Sequence, residues 1–278
     1  MSLKTLKDTP PWDWPEGTGK MLLDILRGDG PSESDLLLAT ELAGDFTVIN
    51  DELVDALLSI LRSGDKPEKV RGRAAISLGP VLEHADTEGF ADADDLPIAE
   101  RTFHRIQEWL RMLYTDAHVP QEVRRRILEA SVHAPQDWHR DAIRAAYSSG
   151  NGVWRLTAVF CMRFVRGFDE QILEALDSKD PNIHYEAVFA AGNWAVDAAW
   201  PHVAALVTSG ETDKPLLLAA IDAVASIRPH EGAEILGDLA DSDDEDIITA
   251  VHEAMAMAER PSGEDKDDEL DDDDDSLD

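Results

Sequence analysis

The chain of 278 residues has a single cysteine, three tyrosines and no apolar run approaching the ~20 residues of a membrane-spanning helix. One thiol excludes both a disulfide framework and a cysteine-rich metal site. Cys161 itself lies in the apolar run Ala158-Val-Phe-Cys-Met162, the setting of a core residue rather than a nucleophile. Positive charge is scarce: 25 lysines and arginines face 58 acids, a net charge of −33. That balance argues against a protein whose whole surface binds nucleic acid or an anionic membrane. Catalytic motifs are missing as well. Gly28-Asp-Gly30 and Gly150-Asn-Gly152 lack the full pattern of a phosphate loop, and neither a Gly-x-Ser-x-Gly elbow nor His-Glu-x-x-His occurs. No cofactor and no metal is expected, and the chain reads as something other than an enzyme. Pro10, Pro11, Asp13 and Glu16 are foreign to a secretory signal, so a cytoplasmic location is expected.

What charge there is falls unevenly. Residues 101–166 carry 11 arginines, no lysine and 6 acids, a basic island of +5 in an acidic chain. Residues 261–278 carry 11 acids against one lysine, with Leu270 and Leu277 as their large apolar residues. Such a segment buries too little to offset its ordering entropy, and is expected to be a disordered acidic tail.

Repetition is the strongest positive signal. Asp180-Pro-Asn-Ile-His-Tyr-Glu-Ala187 opens like a helix, with Asp in the cap position and Pro in the first turn. A second short helix follows over about residues 198–207, with Pro201 near its start. The buried small-residue position at Ala187 has counterparts at Ala39, Ala74, Ile127, Ala158, Ala220 and Ala250. The intervals are 35, 53, 31, 29, 33 and 30 residues, most of them the length of two short helices and two turns. The long interval holds an acidic insert, residues 84–95, and then an unusually long second helix over about 98–115.

The segment from Leu173 to Ile183, then Ala187 to Gly192, Asp197 and Pro201, resembles the HEAT-like repeat, the short form also found in phycobilisome lyases. Val70-Arg71 and Val123-Arg124 match the family's Val-Arg pair, and Trp154-Arg155 matches its arginine. His184 stands in the arginine's place in the fifth unit. The resemblance covers about residues 34 to 258 and implies an all-α fold, an α-solenoid of about six to seven stacked HEAT-like helix pairs whose second helices line a concave surface. It implies a capping segment at 1–33, in which Trp12 and Trp14 cover the open end, a solenoid over 34–260 and the tail at 261–278. HEAT-like deoxyhypusine hydroxylases hold two irons with His-Glu pairs. Here His252-Glu253 is the one pair placed on a first helix, and His230-Glu231 begins a second helix, which falls short of such a site.

Function then rests on surfaces. If second helices line the groove, Arg101, His104, Arg105 and Arg111 form one polar strip at helical spacing, and Arg140 and Arg144 another, with Trp138 as an aromatic anchor. Arginine suits bidentate recognition of carboxylates. The expected partner is a protein: an acidic peptide at the 101–166 patch, or a basic protein at the acidic flanks. The alternative is a nucleic-acid-binding or nucleic-acid-processing protein that uses the same arginines with Trp109, Trp138 and Trp154 for stacking. The surrounding negative charge ranks nucleic acid below protein, and no membrane partner is expected. The plain competing reading is that these arginines pair with acids on their own and adjacent helices.

Overall fold

A computed structural model describes residues 2–28, 30–91 and 96–258. The expected acidic tail at 261–278, and residues 92–95 of the acidic insert, lie outside the described residues. Every regular element described is helical. In chain order these are α1 (Leu3–Lys7), α2 (Thr18–Arg27), α3 (Glu33–Leu42), α4 (Asp51–Arg62), α5 (Glu68–Ile76), α6 (Gly79–Glu88), α7 (Glu100–Thr115) and α8 (Gln121–Ser131). There follow α9 (Asp137–Tyr147), α10 (Gly152–Cys161), α11 (Asp169–Leu176), α12 (Pro181–Asn193), α13 (Trp200–Thr208), α14 (Lys214–Ile227), α15 (Pro229–Leu236) and α16 (Glu245–Ala258). The helices pack as repeated pairs, the α-solenoid class, in two compact units: residues 1–190 and the residues from Ala191 onward.

Local sequence explains where the helices start. Ser32 caps α3 by accepting from the Asp35 amide, Asn50 caps α4 through the Glu52 and Leu53 amides, and Asn151 caps α10 in the same way. Pro67 and Pro120 stand just ahead of α5 and α8, where a missing N–H costs nothing. The Asp180 carboxylate accepts from the Asn182 amide at the start of α12, as its position predicts.

In the first unit α3, α5, α8 and α10 pack each against the next, a row of first helices. The repeat anchors Ala39, Ala74, Ile127, Ala158 and Ala187 are all fully buried on such helices, as is Ala220 on α14. The last repeat differs by one residue: Val251 is fully buried and Ala250 only partly, so the anchor of α16 is Val251. The long interval is also filled differently from expectation. Residues 79–88 form α6, which packs on α8, so the acidic insert begins within a helix, with Ala85 in the core. At the N-terminal end α1 and α2 lie against α3, and α2 also meets α4. Trp14 is half-buried, its indole N–H shared between the carbonyls of Leu6 and Thr9 at 3.0 Å. Trp12 is 79% exposed and covers nothing.

The arginine that recurs near the start of the first helices has a visible task. Arg71 donates through Nε to the Leu61 carbonyl at the end of α4, and Arg155 reaches the Tyr147 hydroxyl at the end of α9, 2.9 Å in each case. A cation placed at the C-terminal end of the preceding helix neutralises its exposed carbonyl dipoles. In the second unit α14 packs on α13, α15 and α16 through Ala220, Ile221 and Val224. Lys214 bridges Asp244 and Asp246, and Arg228 forks onto Asp197.

His139 shows how the α8–α9 turn is held. Its Nδ1 accepts from the Gln136 amide at 2.8 Å, so Nε2 carries the hydrogen that faces Ser131 Oγ at 2.9 Å. The ring is fully buried, and burial pushes its pKa down to about 4. Protonation therefore favours the unfolded chain. The stability held by this neutral ring is complete above pH ~6.5 and is lost as pH falls toward 4, by roughly 3 kcal/mol in total. Imidazole NMR titration is expected to give a midpoint near 4 for His139. A midpoint near the free value would show that the ring is not buried as described.

Candidate partner-binding groove

A groove of about 750 Å³ runs across the first helices of the first unit. The sequence-based expectation had put the binding surface on the second helices, whereas this groove lies on first helices. The lining comes from α3, α5, α8, α10 and α12, at positions that recur with the repeat. Leu37, Gly72, Arg125 and Leu156 stand two residues before the anchor of their repeats, and Ile76, Glu129 and Phe160 two residues after it. Residues at these offsets share a helix face with one another but not with the anchor, so a buried anchor aims them at the opening.

The floor at α8 is ionic and largely sequestered. Arg125 donates from Nε and Nη2 to both oxygens of Glu122, at 3.0 and 2.8 Å, and from Nη1 to Glu129 Oε1 at 2.6 Å. Thr157 of α10 donates to the same Glu129 oxygen at 2.6 Å and accepts from Arg125 at 3.0 Å. Arg126 closes the group, reaching Glu122 at 3.1 Å and Glu129 at 2.8 Å. The hydrogen bond from Arg125 holds the Glu122 carboxyl below the usual carboxylate range. Gly72 permits this arrangement: a Cβ there would sit 3.0 Å from Arg126 Cγ, which lies across α5. Beneath the floor Cys161 is fully buried, and burial raises its thiol pKa well above the usual value, with Glu129 and Glu186 adding to the effect. It is a core residue.

The far end of the groove is aromatic. Val153, Leu156 and Phe160 make an apolar strip along α10, with Val153 53% exposed. Phe160 and Phe164 stand 5.5 Å apart by ring centroids, and His133 lies 4.4 Å from Phe164. Arg163 packs 4.4 Å over Phe189 and pairs with Glu186 at 3.1 Å. The His133 ring takes Glu83 of α6 at 2.7 Å, and burial lowers its pKa against that carboxylate. The near end, at α5, carries Lys69 and Arg73 one turn apart. Arg73 approaches Glu41 only to 4.0 Å.

The residues expected to bind a partner lie elsewhere, on α7 and α9. Arg105 meets Asp55 of α4 at 2.5 Å, and His104 lies against Glu100 and Gln107. Arg101 and Arg111 are exposed on α7. Trp138 is half-buried, its N–H donating to Gln136 at 2.7 Å and its ring 5.1 Å from Tyr114. Arg140 reaches the Arg166 carbonyl at 3.5 Å, and Arg144 pairs with Asp141 at 3.4 Å and lies 6.0 Å from the Phe168 ring. The meeting of Tyr114 with Trp138 joins the C-terminal end of α7 to the start of α9. Arg101 is thirteen residues from Tyr114, about 20 Å along the helix. Arg101 therefore lies far from the start of α9, whereas Arg111 is one turn from Tyr114. Pairing is also extensive: Arg105, Arg125, Arg126, Arg144, Arg155 and Arg163 each contact a carboxylate. Of the stacking candidates, Trp109 is covered by the Arg62 guanidinium at 3.6 Å.

No family model matches the chain, and no curated protein matches it. Solved structures do. An engineered protein is 18% identical, with 92% of this chain and 70% of that one covered and a TM-score of 0.45. Human deoxyhypusine hydroxylase in complex with glycerol is 16% identical over 92% of this chain and 88% of that one, TM-score 0.40. A designed armadillo repeat protein in complex with the peptide (KR)4 is 15% identical over 88% of this chain and 100% of that one, TM-score 0.35. The chain is a helical repeat protein, as the packing of its own helix pairs shows. The expectation that it is not an enzyme is withdrawn, because a hydroxylase stands among the structures it is similar to. The same helix-pair fold carries catalysts and scaffolds, so the fold alone separates neither. His230 and His252 lie on α15 and α16, and among the described residues no three His, Cys, Asp or Glu side chains gather as a metal site. No helix among the described residues is long and apolar enough to cross a membrane.

Proposed function

We propose that the chain is a protein-interaction scaffold that holds an extended peptide of its partner along the first-helix groove. The observation that carries this reading is the groove itself, about 750 Å³ with an apolar strip and ordered charges, built on helices rather than loops. Rigid helices pay little ordering entropy on binding, and a half-apolar slot offers the desolvated centre that interface energetics require. Arg101 and Arg111, exposed on α7, offer a second, electrostatic contact outside it.

A pull-down from nuclease-treated source lysate tests the assignment with three full-length baits: wild type, Val153→Asp, and Arg101→Glu with Arg111→Glu. Val153 is half-exposed, so its replacement leaves the core intact. Polypeptides retained by wild type are expected to be lost on the Val153→Asp bait. Loss on the arginine variant alone would transfer the site to α7, and retention by all three would remove both surfaces.

A further inference from the structure

The charges along the groove do not cancel evenly. On α8 Arg125 and Arg126 form a closed set with Glu122 and Glu129, and Arg163 is taken by Glu186. Glu68 is the first residue of α5, where the helix N-terminus already favours a carboxylate. Lys69 is exposed one turn from Arg73, and Arg73 has its carboxylate only at 4.0 Å and its side chain 41% exposed. In a chain of net charge −33, the under-used charge of the groove is thus positive and sits at its α5 end. The apolar strip Val153, Leu156 and Phe160 sits two helices away on α10. Packed helices lie 8–10 Å apart, so the two features are separated by roughly 20 Å, the span of about six residues of extended chain.

We infer that the groove recognises a linear peptide with an acidic side chain for Lys69 and Arg73 and, about six positions away, a bulky apolar side chain for the Val153–Leu156–Phe160 strip. The inference rests on the groove being the peptide site. The carboxylate meets two cations with spare hydrogen-bonding capacity, and the apolar residue covers the most exposed aliphatic surface of the groove. Between them the peptide crosses the self-neutralised α8 floor, which asks for no charge. A basic peptide would meet Lys69 and Arg73 at the α5 anchor, where the acid of the lining, Glu68, is the first residue of its helix.

Selection of random dodecapeptides displayed on phage against the immobilised full-length protein tests this without assuming a sequence. The enriched peptides, made with a fluorescent label, are then titrated by anisotropy against wild type, Lys69→Glu with Arg73→Glu, and Val153→Asp. All three positions are at the surface, so the variants keep the fold. Expected is enrichment of an aspartate or glutamate five to seven positions from leucine, isoleucine or phenylalanine, with affinity falling at least 10-fold in each variant. Basic peptides, or peptides without a fixed acid-to-apolar spacing, that are lost on Val153→Asp would overturn the recognition chemistry and leave the groove as the site. Absence of enrichment, or binding indifferent to all three positions, would overturn both.

Discussion

Exchanging Arg125 for leucine is expected to cost about 3 kcal/mol of stability, because it leaves the Glu129 carboxylate under-compensated in a place water barely reaches. The Arg125 and Glu129 side chains are each only 9% exposed, and the arginine supplies four hydrogen bonds shared among Glu122, Glu129 and Thr157. Glu122 is 44% exposed and re-solvates when its partner leaves. Glu129 keeps one oxygen on Arg126 and loses the charge that balanced the other. The cost is a cost of incompleteness. Replacing Arg125, Glu129 and Thr157 together by leucine, leucine and valine removes all the buried polar atoms at once, and is expected to fall within about 1 kcal/mol of the wild type. Chemical denaturation followed by amide exchange in α8 and α10 reads the effect locally. Equal losses in the single and triple variants would show that the polar network itself, and not its completeness, holds α8 to α10.

Gly44→Ala is the second large effect, expected at about 3 kcal/mol. A Cβ at Gly44 would stand 2.6 Å from the Ser77 carbonyl oxygen, 2.8 Å from its Cβ and 2.9 Å from its Cα. None of these atoms can swing away, so relief requires the ends of α3 and α5 to separate. Those helices are the first two of the row that lines the groove, and the strain is expected to appear as faster amide exchange in both. Gly64→Ala serves as the control, because nothing lies within 4 Å of its added methyl. A Gly44→Ala protein as stable as that control would mean that α3 and α5 are not packed as tightly as described.

The repeat was legible because its signal is local and redundant. A small or aliphatic residue must fill the helix-to-helix contact of every unit, and six of the seven anchors read from spacing are fully buried. The seventh slipped by one because Ala250 and Val251 are both apolar, and only packing tells which of them turns inward. α6 was missed for a related reason. Its second half, His84 to Glu88, is polar apart from Ala85 and reads as part of the acidic insert, and Pro80 is well placed in a first helical turn. The groove was not anticipated. Its lining was present in the sequence as a recurring set of positions around each anchor, but their role depends on which helix row faces the opening.

By itself the sequence determined that the chain is helical, that it repeats, where the pairs begin and which residues form their contacts. Those properties follow from cap chemistry and from apolar spacing within about 30 residues of chain. Tertiary structure alone decided that the first helices make the groove, that Arg125 is spent on Glu122 and Glu129 while Lys69 is not, and that Arg105 of α7 is taken by Asp55 of α4. The physical reason is range. A charge is free or neutralised according to neighbours that stacking brings from other repeats, as Thr157 meets Glu129 across 28 residues and Arg105 meets Asp55 across fifty, and no local pattern records those meetings.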